Sequence, residues 1–382
     1  MKFPLSVVEG EKSRGLRVLV IHPFFDWEVL YSSFGGGRLI LETLRFLVRA
    51  GCKVFLFSLT NFFSFVSFLS RLENRARIKV NKSSGFSRLA SVRGVLGILF
   101  ILFRDLLCGV DFLFRRGIKN VIGRVKPDLV IYNTPFCGCV LGKISRRLGA
   151  SFIIYEHNVE WLFFSNKIGG SFFRVLVYVL RARELYNLKY ADAILCVNES
   201  DKKILVASRV KKRVDVWIPP PSKVKMKLVN LPADLLEKLK DKFVVGFVGT
   251  NFEVNVASVE VILKVAEKVL GNVIFLVIGS VKKAFEGRPD IPSNVIFTGF
   301  VNDLDTYLSV CDAFINPKVG LDTGIEAKLY DFLKFNKPVI ATKAGAKGFE
   351  KFDNMIIADS LSDIVDTLNS LAIEKIENNM FV

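Results

Sequence analysis

The chain has only two histidines, His22 and His157, in 382 residues. That supply is too small for a histidine-rich metal centre. Six cysteines lie at irregular spacing, and the one close pair, Cys137-Gly138-Cys139, has no second pair to complete a zinc site. The same spacing excludes a disulfide framework, so a reducing, cytoplasmic setting is expected, with no metal and no cofactor. Met1 to Arg17 is mixed polar and basic without an apolar core, so no secretory signal is expected. Acid is scarce as well, in one half only. Residues 1–218 hold 35 Lys+Arg against 16 Asp+Glu, whereas residues 219–382 hold 19 against 21. The net charge of +17 therefore belongs to the first half, which is suited to an anionic partner. No nucleic-acid recognition motif accompanies it, so nucleic acid is not the expected partner.

What the chain does have is apolar mass. At 51% hydrophobic residues over 382 positions it is globular and long enough for two domains. Leu16 to His22 is a continuous apolar run, as in a central parallel strand. A loop ending in Gly35-Gly36-Gly37 follows, then a helix over Arg38 to Arg49 and a strand over Lys53 to Leu59. This is a doubly wound opening, and the glycine run lacks the dinucleotide fingerprint. By itself it reads as a flexible turn or a ligand loop.

Residues 61–126 combine 13 basic and three acidic residues with dense Phe, Leu, Val and Ile. Val95 to Phe114 is long enough for a membrane span but carries Arg104, Asp105 and Asp111. Each charge near a bilayer centre costs about 2.5–3.5 kcal/mol, which argues against spanning. The surrounding basic excess favours a helix lying in the membrane interface, with Arg and Lys at headgroup level, over a buried core helix. Strands follow at Pro127 to Asn133 and Ser151 to Glu156. The second opens onto His157-Asn158-Val159-Glu160, at a strand's carboxyl end, where site residues accumulate. His22 reads as a structural histidine. Glu160 either positions an acceptor or caps the next helix. Arg174 to Tyr190 reads as a helix, and Val214 to Ile218 as a last short strand. Pro219-Pro220-Pro221 is a stiff stop that sets the expected domain boundary, giving domains 1–218 and 219–382.

The second half repeats the alternation, with strands at Phe243 to Gly249, Val273 to Ile278 and Val295 to Thr298. A helix is expected over Val256 to Val269 with Asn255 as its N-cap. Its most informative stretch is Cys311 to Phe349, CDAFINPKVGLDTGIEAKLYDFLKFNKPVIATKAGAKGF. A strand (Ala313 to Asn316), a loop with Gly320 and Gly324, a helix (about Ile325 to Phe335) and a strand (Pro338 to Thr342) make a βαβ unit. Both loops leave carboxyl ends of strands, where open α/β sheets bind ligands. Gly324 lets backbone N–H groups approach an anion at the helix start. Lys328 and Asp331 share one helical face.

This stretch resembles the donor-binding segment of the family 4 glycosyltransferases: Cys311-Asp312, Pro317, Gly320, Gly324, Lys328, Asp331, Lys337 to Thr342 and Gly345 to Gly348 follow the family's order. The spacing over Gly249-Thr250, Gly279 and Gly299 to Val301 is similar to the family as well. The resemblance implies an α/β GT-B fold, two Rossmann-like doubly wound parallel-sheet domains facing across a cleft. It places the last helix, about 360–376, back on the first domain. It also implies metal-independent transfer of a hexose from a nucleotide sugar, with retention of configuration.

On the same ground His157 would contact the transferred sugar, Lys328 the leaving diphosphate and Asp331 the ribose. Gly36, Gly37, Thr250, Asn251, Gly279, Phe300, Val301, Lys318, Gly324 and Ile325 would line the donor, and Asn158 and Glu160 the acceptor. The chain departs from the pattern in three places. Asp331 stands where the family has Glu, Thr323 stands where it has an earlier Glu, and Phe252 to Asn255 lacks its basic grip on the diphosphate. Lys318 or Lys343 would then compensate. With the basic first half, the expected acceptor is lipid-linked or polyprenyl-linked at an anionic membrane surface, the enzyme being peripheral on its inner face. A soluble or protein acceptor, and a non-catalytic nucleotide-sugar binder, are the alternatives.

Overall fold

The computed structural model describes residues 15–22, 35–58, 111–135, 138–167, 171–222, 231–320 and 324–380. The interfacial or core helix expected over Val95 to Phe114 falls mainly outside them. The chain divides into two compact units, residues 1–220 with 323–325, and residues 221–322 with 326–382.

The first unit contains β1 (Arg17–His22), α1 (Gly35–Arg49), β2 (Lys53–Ser58), α2 (Asp111–Val125), β3 (Leu129–Tyr132) and α3 (Gly138–Arg147). It continues with β4 (Ser151–Glu156), α4 (Glu160–Lys167), α5 (Ser171–Leu188), β5 (Ala193–Cys196), α6 (Glu199–Ala207) and β6 (Arg213–Val216). Its strands form one parallel sheet in the order β2-β1-β3-β4-β5-β6. β3 and β5 are buried at every position, as their unbroken apolar runs require. Gly35 to Gly37, expected as a loop, form the first turn of α1. They thus stand where a helix leaves its first N–H groups without an intrahelical acceptor.

The second unit contains α7 (Ala233–Leu239), β7 (Phe243–Val248), α8 (Glu253–Ala266), β8 (Val273–Ile278), a 3-10 turn (Ser280–Phe285), β9 (Val295–Gly299) and α9 (Leu304–Ser309). Then come β10 (Ala313–Asn316), α10 (Lys328–Leu333), β11 (Val339–Ala341), β12 (Met355–Ile357) and α11 (Leu361–Met380). Its parallel order is β12-β11-β10-β7-β8-β9. α11 packs on α8 and β8 of the same unit, and Lys375 donates to Lys242 O at 2.9 Å and Asp312 Oδ2 at 2.8 Å.

A recurrent device fixes register in both units. An aspartate precedes each of β3, β5 and β10, and its carboxylate accepts the N–H of a residue starting the neighbouring strand. Asp128 accepts from Arg17 (2.8 Å), Asp192 from Phe152 (2.9 Å) and Asp312 from Val244 (2.8 Å). The Asp312 of the donor-like stretch is therefore a strand lock.

Two helix boundaries differ from expectation. α8 starts at Glu253, so Asn255 sits inside its first turn and its amide donates to Thr250 instead of capping. α10 spans only Lys328–Leu333. The positive charge expected from a helix start at Gly324 is supplied by Lys328 itself.

Candidate active site

In the second unit the winding reverses between β7 and β10. In open α/β sheets the crevice outside the carboxyl ends of such strands takes the ligand. Here that end collects charge. Lys318, just past β10, places Nζ 2.6 Å from Glu326 Oε1, and Lys328 Nζ lies 3.8 Å from Oε2 of the same carboxylate. Lys328 also donates to Asn255 Oδ1 at 2.7 Å and stands 4.4 Å from the centre of the Phe247 ring. The Asn255 amide in turn donates to Thr250 O at 3.1 Å and Oγ1 at 3.2 Å. One connected chain thus runs from Thr250 through Asn255, Lys328 and Glu326 to Lys318.

Two lysines meet one carboxylate where little water reaches. Burial pushes Lys328 down to about 8 although Glu326 pulls it up. Burial would raise Glu326, but Lys328 and Lys318 hold it below its usual range. A partly compensated buried ammonium is the arrangement that an incoming phosphate completes.

Around this cluster the loops are stitched by backbone contacts. Gly279 N–H donates to Gly299 O at 2.8 Å, and Val281 N–H to Gly249 O at 3.1 Å. Gly279 has φ +110°, and a Cβ there would run into Gly249 O. Asn251 N–H donates to Ser280 Oγ at 3.1 Å. Asn316 Nδ2 donates to Gly345 O at 2.8 Å and Thr342 Oγ1 to Lys318 O at 2.6 Å, joining the loops after β10 and β11. Phe300 is 78% exposed beyond Gly299, with Val301 half-buried beside it. Asp331 is buried on α10 with Oδ1 3.1 Å from Lys334 Nζ, and Lys334 also pairs with Asp305 of α9. Lys343 is exposed and pairs with Asp359 at 3.1 Å.

In the first unit the winding reverses between β1 and β3. His22 ends β1 and is buried; burial, and then the nearby His157, push its imidazole well below the usual range. The two histidines of the chain are thus neighbours at the carboxyl edge of one sheet. His157 follows β4, edge-on to the Tyr155 ring at 5.0 Å, and its buried Nε2 has no hydrogen-bond partner among the described residues. Burial brings it down to about 3, so it is neutral at ordinary pH. Gly324 belongs to this unit: its N–H donates to Asp201 Oδ2 at 3.1 Å and its carbonyl accepts from Asn198 Nδ2 at 2.9 Å. At φ +81° it lies so close to Asn158 that a Cβ would strike Asn158 Oδ1. Ile325 is half-buried beside it. Glu160 opens α4, where its N–H is held by Glu184 at 3.2 Å. Gly36 and Gly37 lie in the first turn of α1.

The residues that sequence reasoning missed are Glu326, Asn255 as the partner of Lys328, His22, Glu184 and Asp201. The Glu326-x-Lys328 pair alone carried a local signal, charges of opposite sign next to the glycine loop.

Solved structures share this architecture. The Anabaena protein Alr3699/HepE, in complex with UDP and glucose, is 14% identical with a TM-score of 0.56, covering 92% of this chain and 89% of its own. The lipopolysaccharide outer core galactosyltransferase WaaB in its apo form is 16% identical with a TM-score of 0.55, covering 94% of this chain and 91% of its own. A sucrose-phosphate synthase from Thermosynechococcus elongatus is 14% identical with a TM-score of 0.55, covering 94% and 90%. At these identities the likeness speaks for the fold, which is the two-domain α/β GT-B fold. Curated protein sequences give no match. Residues 35–220 match the family described as Glycosyltransferase Family 4, and residues 242–372 match Glycosyl transferases group 1. The chain belongs to the group 1, family 4 glycosyltransferases.

Proposed function

We propose that the protein transfers a hexose from a nucleotide sugar to a lipid-linked or membrane-associated acceptor, with retention of configuration. The observation that carries this reading is the Lys328–Glu326–Lys318 cluster at the β7/β10 switch point. It sets two lysines on one carboxylate at the carboxyl ends of those strands. In this reading Lys328 and Lys318 meet the diphosphate as its charge develops during glycosidic cleavage, without a metal. Phe300 and Val301 take the base, with Thr250, Asn251 and Gly279 shaping the floor and Gly36 and Gly37 offering backbone N–H groups to the donor. Asp331 holds the ribose. His157, with Asn158 and Glu160, faces sugar and acceptor as a neutral group. The UDP and glucose bound to Alr3699/HepE, and the galactosyl transfer in the name of WaaB, are consistent with a hexose donor.

The basic first half supports an anionic membrane surface as the place of work. Among the described residues no helix is long and apolar enough to cross a membrane, so contact there would be peripheral. The test is a thermal-shift screen of UDP-, GDP- and ADP-hexoses in the presence of EDTA, followed by turnover on polyprenyl-linked and soluble acceptors. A specific shift with one nucleotide sugar, and product only from the lipid-linked acceptor, is expected. No shift with any of them overturns the reading.

A further inference from the structure

Four carboxyl groups of the first unit interact around the end of β4, next to His157. They are Glu156 at the end of β4, Glu160 at the start of α4, Glu184 on α5 and Asp201 on α6. Glu156 and Glu184 are 1% and 0% exposed. Glu184 spends both oxygens on the start of α4: Oε1 accepts the N–H of Glu160 at 3.2 Å and Oε2 that of Trp161 at 3.0 Å. These are two of the N–H groups that every helix start leaves without an intrahelical acceptor. Glu156 has no such donors: among the described residues neither buried oxygen receives an N–H or O–H. Among the charged groups acting on it, the Glu184 carboxyl acts most strongly.

Two buried carboxyls side by side cannot both be ionised. The one holding two N–H donors keeps the charge, and the one holding none takes the proton. We propose that Glu156 is a neutral carboxylic acid donating its proton to the Glu184 carboxylate, and that Glu184 is a positioning residue, fixing the His157–Glu160 turn through its cap on α4. Burial and then the Glu184 charge push Glu156 well above the usual carboxylate range, and Glu160 and Asp201 add to this. The Cys196 thiol on β5, also close to Glu156, is pushed up to about 12 by burial first and stays neutral. Among the described residues, the groups acting on Glu156 are thus acidic or neutral.

The inference rests on the proposed function only for what the turn presents. Its test reads no turnover and adds no nucleotide sugar, so the two fail separately. From about pH 5 upward the native chain keeps a proton on Glu156 that the unfolded chain releases. That proton makes unfolding tenfold easier per pH unit, about 1.4 kcal/mol, until the raised native value is reached. Glu156→Gln supplies an N–H donor that does not titrate. In urea unfolding between pH 5 and pH 8, the slope of Glu156→Gln should differ from that of the parent by one proton, with the variant gaining stability relative to the parent as pH rises. In hydrogen exchange the Trp161 amide should stay protected in Glu156→Gln and exchange at least tenfold faster in Glu184→Ala, with partial rescue in Glu184→Gln. Equal pH slopes for the parent and Glu156→Gln, or an unchanged Trp161 amide in Glu184→Ala, overturn the inference. If Glu184→Ala does not fold, the Glu156→Gln slope decides alone.

Discussion

Glu326 Oε1 lies 2.6 Å from Lys318 Nζ, in an ion pair whose side chains are 17% and 9% exposed. Removing one partner of a buried pair strands the other charge, at a cost of about 3–5 kcal/mol. Glu326→Ala removes the carboxylate that Lys318 and Lys328 share, so a loss of about 3 kcal/mol in urea unfolding is expected. The same change should tighten UDP binding, because the nucleotide then supplies the missing negative charge. Opposite signs for stability and affinity would mark the cluster as a phosphate site. Losses in both would mark it as scaffold.

Lys328 carries a pH signature. With burial holding it at about 8, the ammonium is mostly charged at pH 7 and about one-tenth charged at pH 9. UDP affinity measured by calorimetry should therefore weaken by nearly tenfold between those values. Lys328→Met should bind UDP weakly at both and show no such dependence. An unchanged affinity across the range would remove Lys328 from the diphosphate.

Gly279 tests the loop stitching. Its φ of +110° and the place of its Cβ against Gly249 O leave no room for a side chain. A strained φ of this kind costs about 1–3 kcal/mol before any backbone shift is counted. Gly279→Ala should lose at least about 2 kcal/mol in urea unfolding and weaken UDP binding. Gly271→Ala, where a Cβ would meet nothing within 4 Å, is the matched control and should change neither.

The strands were the most legible part of this chain. Runs such as Leu129–Tyr132 and Ala193–Cys196 are apolar throughout because parallel strands are covered on both faces, and no alternative pattern competes. Short elements were harder. β12 (Met355–Ile357) and α7 (Ala233–Leu239) are too brief to show a period, and α10 stops at six residues where the sequence reads as eleven. The glycines and lysines of the donor-like stretch were legible as types, because left-handed turns and phosphate chemistry demand those residues. Their partners were not. Asn255 reaches Lys328 across 73 positions, and Glu184 reaches the α4 start across 24 and 23. Such pairings are set by strand order, which periodicity alone does not reveal. Asp331 shows the limit from the other side: its spacing to Lys328 suggested one shared face, while its carboxylate pairs with Lys334.

His157 supplies a prediction with the opposite sign to Glu156. Its imidazole is neutral down to about pH 3 in the folded chain, whereas an unfolded histidine takes a proton below about pH 6.5. In that window the unfolded state binds more protons, so this contribution to stability is complete above about pH 6.5 and is lost as pH falls. Buried His22 acts in the same sense. His157→Gln should flatten the acid limb of the stability profile by one proton, about 1.4 kcal/mol per pH unit. If His157 also meets the transferring sugar, the same variant should lower kcat by roughly 10²-fold, the usual effect of losing one group that stabilises developing charge. The ring protons of His157 should show no titration by NMR between pH 8 and pH 5. A midpoint near 6.5 would mean an imidazole open to solvent, and both effects on the variant would then disappear.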